Sequence, residues 1–265
     1  MPALVAACNS GVFHASKNGG TAWDVRPLGL VGKGPHWVIA DSTKPGRIYA
    51  ATGTAGVQRS DDGGKTWRGM NKGLLYRDVW CIAQNPRTGD IFAGTQPASI
   101  FKSSDGGESW TDFAAIRQLP ETHFWTFPRP PHIAHIKDIQ VAPDDDNTII
   151  AAIEEGWLIR TKDGGQHWET LKQGVEFDSH AVTLFAGQPD VVIATSGTGV
   201  YKSTNGGDMF IKANAGYMSP ARAHPSRPKT LFAGAAELPP PFWFTRPEGA
   251  NSSFYRSDDQ GDSWQ

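Results

Sequence analysis

RSDDGGKTW (59–67) decides the fold, because the chain writes it six times. The other copies are ASKNGGTAW (15–23), KSSDGGESW (102–110), RTKDGGQHW (160–168), KSTNGGDMF (202–210) and RSDDQGDSW (256–264). The closing aromatics Trp23, Trp67, Trp110, Trp168, Phe210 and Trp264 are spaced by 44, 43, 58, 42 and 54 residues. A period of roughly 40 residues is the signature of a solenoid, propeller or array. Two of the intervals carry insertions.

Each copy has a turn chemistry. The Asp or Asn oxygen accepts bonds from the amides of its own turn, Ser or Thr adds another, and Gly takes the positive φ that a tight hairpin needs. The aromatic then opens the next strand and is large enough to bridge neighbouring sheets. Between copies the chain reads as short strands: HWVIAD, RIYAATG and GVQRS, then VWCIAQ with DIFAGT, KDIQVA with TIIAAI, HAVTLF with VVIATS, and ARAHP with TLFAGA. Four antiparallel strands per unit is a propeller blade. The expectation is an all-β chain, a six-bladed β-propeller forming one domain over residues 1–265.

The pattern S-x-D-x-G-x-x-W resembles that of the Asp-box (BNR) repeat proteins of the sialidase-like fold superfamily. It is matched at Ser60, Asp62, Gly64 and Trp67, at Ser103, Asp105, Gly107 and Trp110, at Thr161, Asp163, Gly165 and Trp168, and at Ser257, Asp259, Gly261 and Trp264. The copies at Ser16 and Ser203 carry Asn in place of Asp. The resemblance implies the propeller and a glycosyl hydrolase-like setting. It implies no single activity, since the family includes sialidases, xyloglucan-type glycosidases, sorting receptors and photosystem assembly factors. A sialidase implies an Arg-Ile-Pro-type motif before the first box, which this chain lacks. Arg59, Arg160 and Arg256 belong to the boxes, so sialidase activity is not expected.

Net charge of -2 gives no reason to expect nucleic acid or an anionic membrane as partner. No apolar run is long enough to span a bilayer, and the opening MPALVAACNSG lacks a basic signal region, which places the chain in the cytoplasm. ALVAAC reads as a buried strand, and Cys8 and Cys81 as two buried free thiols. The first copy follows only two strands, so the expectation is either a last blade incomplete at the C-terminus or, the favoured reading, a first-blade inner strand supplied by a segment of about 40 residues beyond Gln265.

In this topology the boxes join the third and fourth strands of each blade on one face. Both insertions, 111–135 and 235–253, belong to the opposite face. They resemble each other: FWTFPRP (124–130) and FWFTRP (242–247) each combine aromatics, Arg and Pro. Trp125 and Trp243 offer stacking surface, and Arg129 and Arg246 suit an anionic ligand. Phe124, Trp125, Phe242 and Trp243 equally suit packing of the loops onto the propeller.

Blade alignment puts His36, Val79, Lys137, His180 and Ser219 at one position near the start of the first strands. Arg77, Asp78, His132, His135, Asp138, Asp178 and Tyr217 lie beside it, and Glu154, Glu155 and Glu237 at the ends of the second strands. As metal ligands, His36, His135 and His180 with Glu154 or Glu237 form a site for a divalent transition metal in the central funnel. As acid/base machinery, His36, His180, Lys137, Glu154 and Glu237 are the catalytic candidates. Asp78, Trp125, Arg129, Tyr217, Trp243 and Arg246 are the ligand-binding candidates. The expected ligand is a small polar or aromatic molecule, and the expected chemistry that of a hydrolase or lyase. The alternative is a non-catalytic scaffold that presents aromatic rims to a protein partner.

Overall fold

A computed structural model describes residues 3–17 and 19–265 of the protein. Among them the strands form six antiparallel sheets, and the fold is a six-bladed β-propeller. Two compact units, Met1–Ala114 and Ala115–Gln265, carry three blades each.

The first unit holds β1 (Ala3–Cys8), β2 (Gly11–Ser16) and β3 (Asp24–Gly29), then β4 (Pro35–Ala40), β5 (Ile48–Thr52), β6 (Gly56–Ser60) and β7 (Arg68–Gly69), then β8 (Asp78–Gln84), β9 (Ile91–Gln96), β10 (Ser99–Ser103) and β11 (Thr111–Asp112). The second holds β12 (His135–Ala142), β13 (Asp145–Glu154), β14 (Leu158–Thr161) and β15 (Glu169–Leu171), then β16 (Ser179–Phe185), β17 (Gln188–Ser196), β18 (Gly199–Ser203) and β19 (Ile211–Ala215), then β20 (Tyr217–His224), β21 (Arg227–Ala236) and β22 (Ser253–Ser257). β1 and β2 meet β4 as β5 and β6 meet β8, so β1 takes a second-strand position. Beyond β22, Arg256 and Gln265 exchange two backbone hydrogen bonds of 2.8 and 2.9 Å.

All-apolar interiors form between neighbouring blades. In the first unit Tyr49, Val57 and Met70 pack on Val79, Ile91, Phe101 and Trp110. In the second, Ile150, Leu158 and Leu171 pack on Val182, Val192, Tyr201 and Phe210.

The repeated turns behave as their sequence dictates. Ser60 Oγ accepts the Gly64 N–H at 2.8 Å and donates to Asp62 Oδ1 at 2.8 Å. Asp62 in turn accepts the Thr66 N–H at 2.9 Å. The same bonds recur at Ser103 and Asp105, Thr161 and Asp163, Ser203 and Asn205, and Ser257 and Asp259. Asn18 of the first copy lies outside the described residues. The first Gly of each pair sits in left-handed space, and Gln260 takes φ 62° where the last copy lacks it.

The basic residue before three of the turns, Arg59, Arg160 and Lys202, is an interblade clamp. Arg59 donates to Gly106 O at 2.6 Å and to Glu108 at 2.9 Å. Arg160 reaches Gly206 O at 2.5 Å and Asp208 at 2.7 Å, and Lys202 reaches Asp262 at 2.6 Å. The Trp indoles act in the other direction, Trp67 Nε1 donating to Leu28 O at 2.7 Å and Trp110 Nε1 to Met70 O at 2.8 Å. The turn at 59–67 thus ties both neighbours of its blade, whereas Trp168 and Trp264 donate to Gly165 and Gly261 of their own turns.

Two expectations on burial need correction. ALVAAC is a strand, but an exposed one: β1 edges a three-stranded sheet, and Leu4 is 57% accessible. Cys8 is accordingly exposed, with its thiol held below the usual range by the Ser10 hydroxyl, whereas Cys81 is buried; both are free.

Candidate functional site

The second unit gathers a cluster of His, Lys and carboxylate groups at one end of its strands, away from the boxes. β12 begins with His135 and Lys137, β13 ends at Glu154, Asp178 and His180 stand at the start of β16, and Tyr217 opens β20. Lys137 and His180 each sit in a bulge, where the pairing skips from Ile136 to Asp138 and from Ser179 to Ala181. A bulge re-aims a side chain that regular alternation would place elsewhere. The turn after β13 is strained, Glu155 and Trp157 taking φ 55° and 64°, and its amides at Gly156 and Trp157 both donate to Phe177 O.

Two His–carboxylate pairs result. His135 Nε2 lies 3.1 Å from Glu154 Oε2, and the Lys137 ammonium contacts the same oxygen. Burial penalises the Glu154 charge, but the hydrogen bond from His135 and the charge of Lys137 outweigh it and bring the carboxyl to about 2. His180 Nε2 lies 3.2 Å from Asp178 Oδ1, while its Nδ1 faces Met218 O at 2.9 Å. Glu155 is pushed up by burial and then by Asp178 and Glu154. Tyr217 is also pushed up by burial, so its phenol keeps its proton.

Aromatic side chains wall these pairs. Tyr217 lies 5.0 Å from the His180 ring and meets Trp243 edge-on at 6.1 Å. Phe127 meets His135 edge-on at 4.9 Å, and Trp157 stands against Phe177 and Phe124. Trp125 lies against the Gly156 turn, its indole N–H buried without an acceptor. Both insertions therefore reach the same strand ends. Tyr217, Ser219, Gly234, Ala236, Trp243 and Phe254 line a cleft of about 380 Å³. A cavity of about 210 Å³ at the box end contains Arg160, whose donors are already consumed by the clamp.

No protein-family model matches the sequence, and no curated protein does. Solved structures do. A xyloglucanase from Xanthomonas campestris aligns with TM-score 0.72 and 16% identity over 98% of this chain and 43% of its own. An ancestral GH74 enzyme aligns at 0.66 and 22% over 90% and 32%. YCF48 bound to a D1 peptide aligns at 0.58 and 15% over 97% and 74%. The neighbours share a fold. This chain spans about a third to two-fifths of the GH74 chains, and likeness at these identities extends to the propeller alone.

The candidates divide between the units. In the first, His36 Nε2 lies 3.7 Å from Asp78 Oδ1, and its ring stacks on Trp80 at 4.5 Å and 9°. Trp80, not Val79, occupies the bulge equivalent to His36, because β8 pairs one residue later than a gapless alignment implies. In the second unit His135, Lys137, Glu154, His180, Tyr217 and Trp243 come together. Arg129 is exposed, and its charge reaches Tyr217. Glu237 and Arg246 pair with each other at 3.2 Å within the second insertion, where Asn251 also holds Glu237. Asp138, beside the ring in sequence, is structural: it accepts the Val182 N–H and the Arg222 guanidinium. Asp178 is the group sequence reasoning undervalued; its place two residues before the bulged His180 is the signal that marks it.

Proposed function

We propose that this chain is an Asp-box propeller whose second unit carries a binding and reaction centre for a small polar or aromatic molecule, with chemistry of the hydrolase or lyase type. The observation that carries the reading is His180, buried against Asp178 and beside Glu154 without a hydrogen bond to its Nε2. Such a polar arrangement costs stability, and costs of this kind collect where chemistry is done. In this reading Glu154, Asp178 and His180 form the reactive centre. Lys137 and Arg129 attract an anionic or carbonyl group, and Tyr217 and Trp243 stack on the ligand. The His36–Asp78 pair and the Glu237–Arg246 pair are secondary candidates.

A thermal-shift series of sugars, sugar acids, lactones and aromatic acids tests it. A true ligand raises the melting temperature of the wild type by mass action. It should lose that effect in Trp243→Ala and Lys137→Met. A ligand that stabilises the wild type and both variants alike counts against this site.

A protein-binding scaffold is the second reading, favoured by Phe242, Phe244 and Phe254, which are 50, 90 and 84% accessible. The peptide held by the YCF48 neighbour is in keeping with it. Phe244→Ser should then weaken partner capture and leave small-molecule binding unchanged.

A further inference from the structure

Building on the reading of a reaction centre in the second unit, we propose that Glu154, Asp178 and His180 hold one divalent transition-metal ion of the Mn2+ or Zn2+ class. One donor atom from each of the three lies within 4.8 Å of the others. The argument begins with the tautomer of His180. Its Nδ1 faces the Met218 carbonyl, which only accepts, so Nδ1 carries a proton and Nε2 of the neutral ring presents a lone pair. Asp178 Oδ1 lies 3.2 Å from that nitrogen. Neither atom makes a hydrogen bond, and His180 is 2% accessible.

Two buried electron-rich atoms repel unless a proton or a cation lies between them. A shared proton would form a hydrogen bond, and the pair does not have that alignment. Metal–ligand distances of about 2.0 to 2.2 Å put adjacent donors roughly 2.9 to 3.5 Å apart, depending on coordination geometry. The His180–Asp178 separation falls inside that range, and the Glu154 donor lies within 4.8 Å of both.

The surroundings are those of a metal site. A ligating imidazole commonly donates its other N–H to a carbonyl, and ligating carboxylates are themselves held by hydrogen bonds. Met218 does the first for His180, and Lys137 does the second for Glu154. One imidazole with two carboxylates and no sulfur selects Mn2+, Zn2+ or Fe2+ over Cu+. Three protein ligands leave coordination positions for water, whose pKa such an ion lowers.

The full chain, stripped with chelator, is titrated with Co2+ by visible absorption and with Zn2+ and Mn2+ by calorimetry. The expected result is one ion per chain, bound about tenfold or more weakly by Asp178→Asn and His180→Ala. His167→Ala, which removes an exposed pair with Asp163, should bind as the wild type does. His180 is buried, so the folding of its variant is checked by near-ultraviolet circular dichroism. Asp178, with a side chain 34% accessible, provides the second, milder variant. Absence of saturable binding by the wild type, or equal binding by both ligand variants, overturns the proposal. A metal bound with no small molecule recognised supports this inference and removes the proposed function. A small molecule recognised by a wild type that shows no saturable metal binding does the reverse.

Discussion

The two ends of the blades in the second unit are built on opposite principles. At the box end every copy repeats the same bonds, and Thr161, Ser203 and Ser257 place their oxygens on a Gly amide at 3.0, 2.9 and 2.8 Å. At the other end no two blades agree: Lys137, His180 and Ser219 share one bulge position, and Asp178 Oδ1 and His180 Nε2 lack hydrogen bonds. Repetition marks what every blade needs to stand, and departure from it marks what the molecule can use.

Substitutions can break this contrast. The largest loss is expected for Trp110→Ala, which removes a 5% accessible ring and its bond to Met70 O. It should cost about 3 to 5 kcal/mol by chemical denaturation. Trp67→Ala should cost less, its ring being half-buried, and Trp23→Ala, 44% accessible, little. A uniform cost for the three would refute the link between burial and the work of the box.

Arg160→Ala comes next. It removes the clamp on Gly206 and Asp208, and a loss of about 2 kcal/mol is expected from buried, charge-assisted bonds. Metal and ligand binding at the other strand end should survive it.

Acid sharpens the comparison among the boxes. Asp62, Asp105 and Asp259 are lowered to about 2: hydroxyl and amide bonds do so at Asp62 and Asp259, and at Asp105 they outweigh a leading burial penalty. A depressed folded value contributes stability that is complete above the unfolded carboxyl value of about 3.9 and is lost as pH falls towards 2. Asp62→Asn should flatten part of that decline in an acid melting series, as Asn205 already does in its own copy. An unchanged acid profile would show that the box carboxylates titrate normally.

The smallest effect belongs to the opposite end. Asp178→Asn is expected to change stability by under about 1 kcal/mol, or to raise it, since it removes a carboxylate facing a lone pair. A loss as large as that of Arg160→Ala would make Asp178 structural.

The box turns were legible because every interaction in them is local. Ser60, Asp62, Gly64 and Thr66 are bonded within seven residues of chain, so their spacing states their geometry. The clamp was only half legible: the basic residue recurs, but its partner stands 47 residues away in the next blade. The site was legible as a list of residue types and illegible as a cluster. A bulge in β8 moved Trp80 into the place assigned to Val79, and Glu237 turned to Arg246 inside its own insertion.

By itself, then, the sequence determined the blade, its repeat and the end of the strands at which chemistry has room, because hydrophobic alternation and turn chemistry act over a few residues. Only tertiary structure decided that Glu154, Asp178 and His180 converge. They arrive from two neighbouring blades, and their approach depends on bulges and on a carbonyl at Met218 in a third. Such distances follow from sheet packing, which no local pattern encodes.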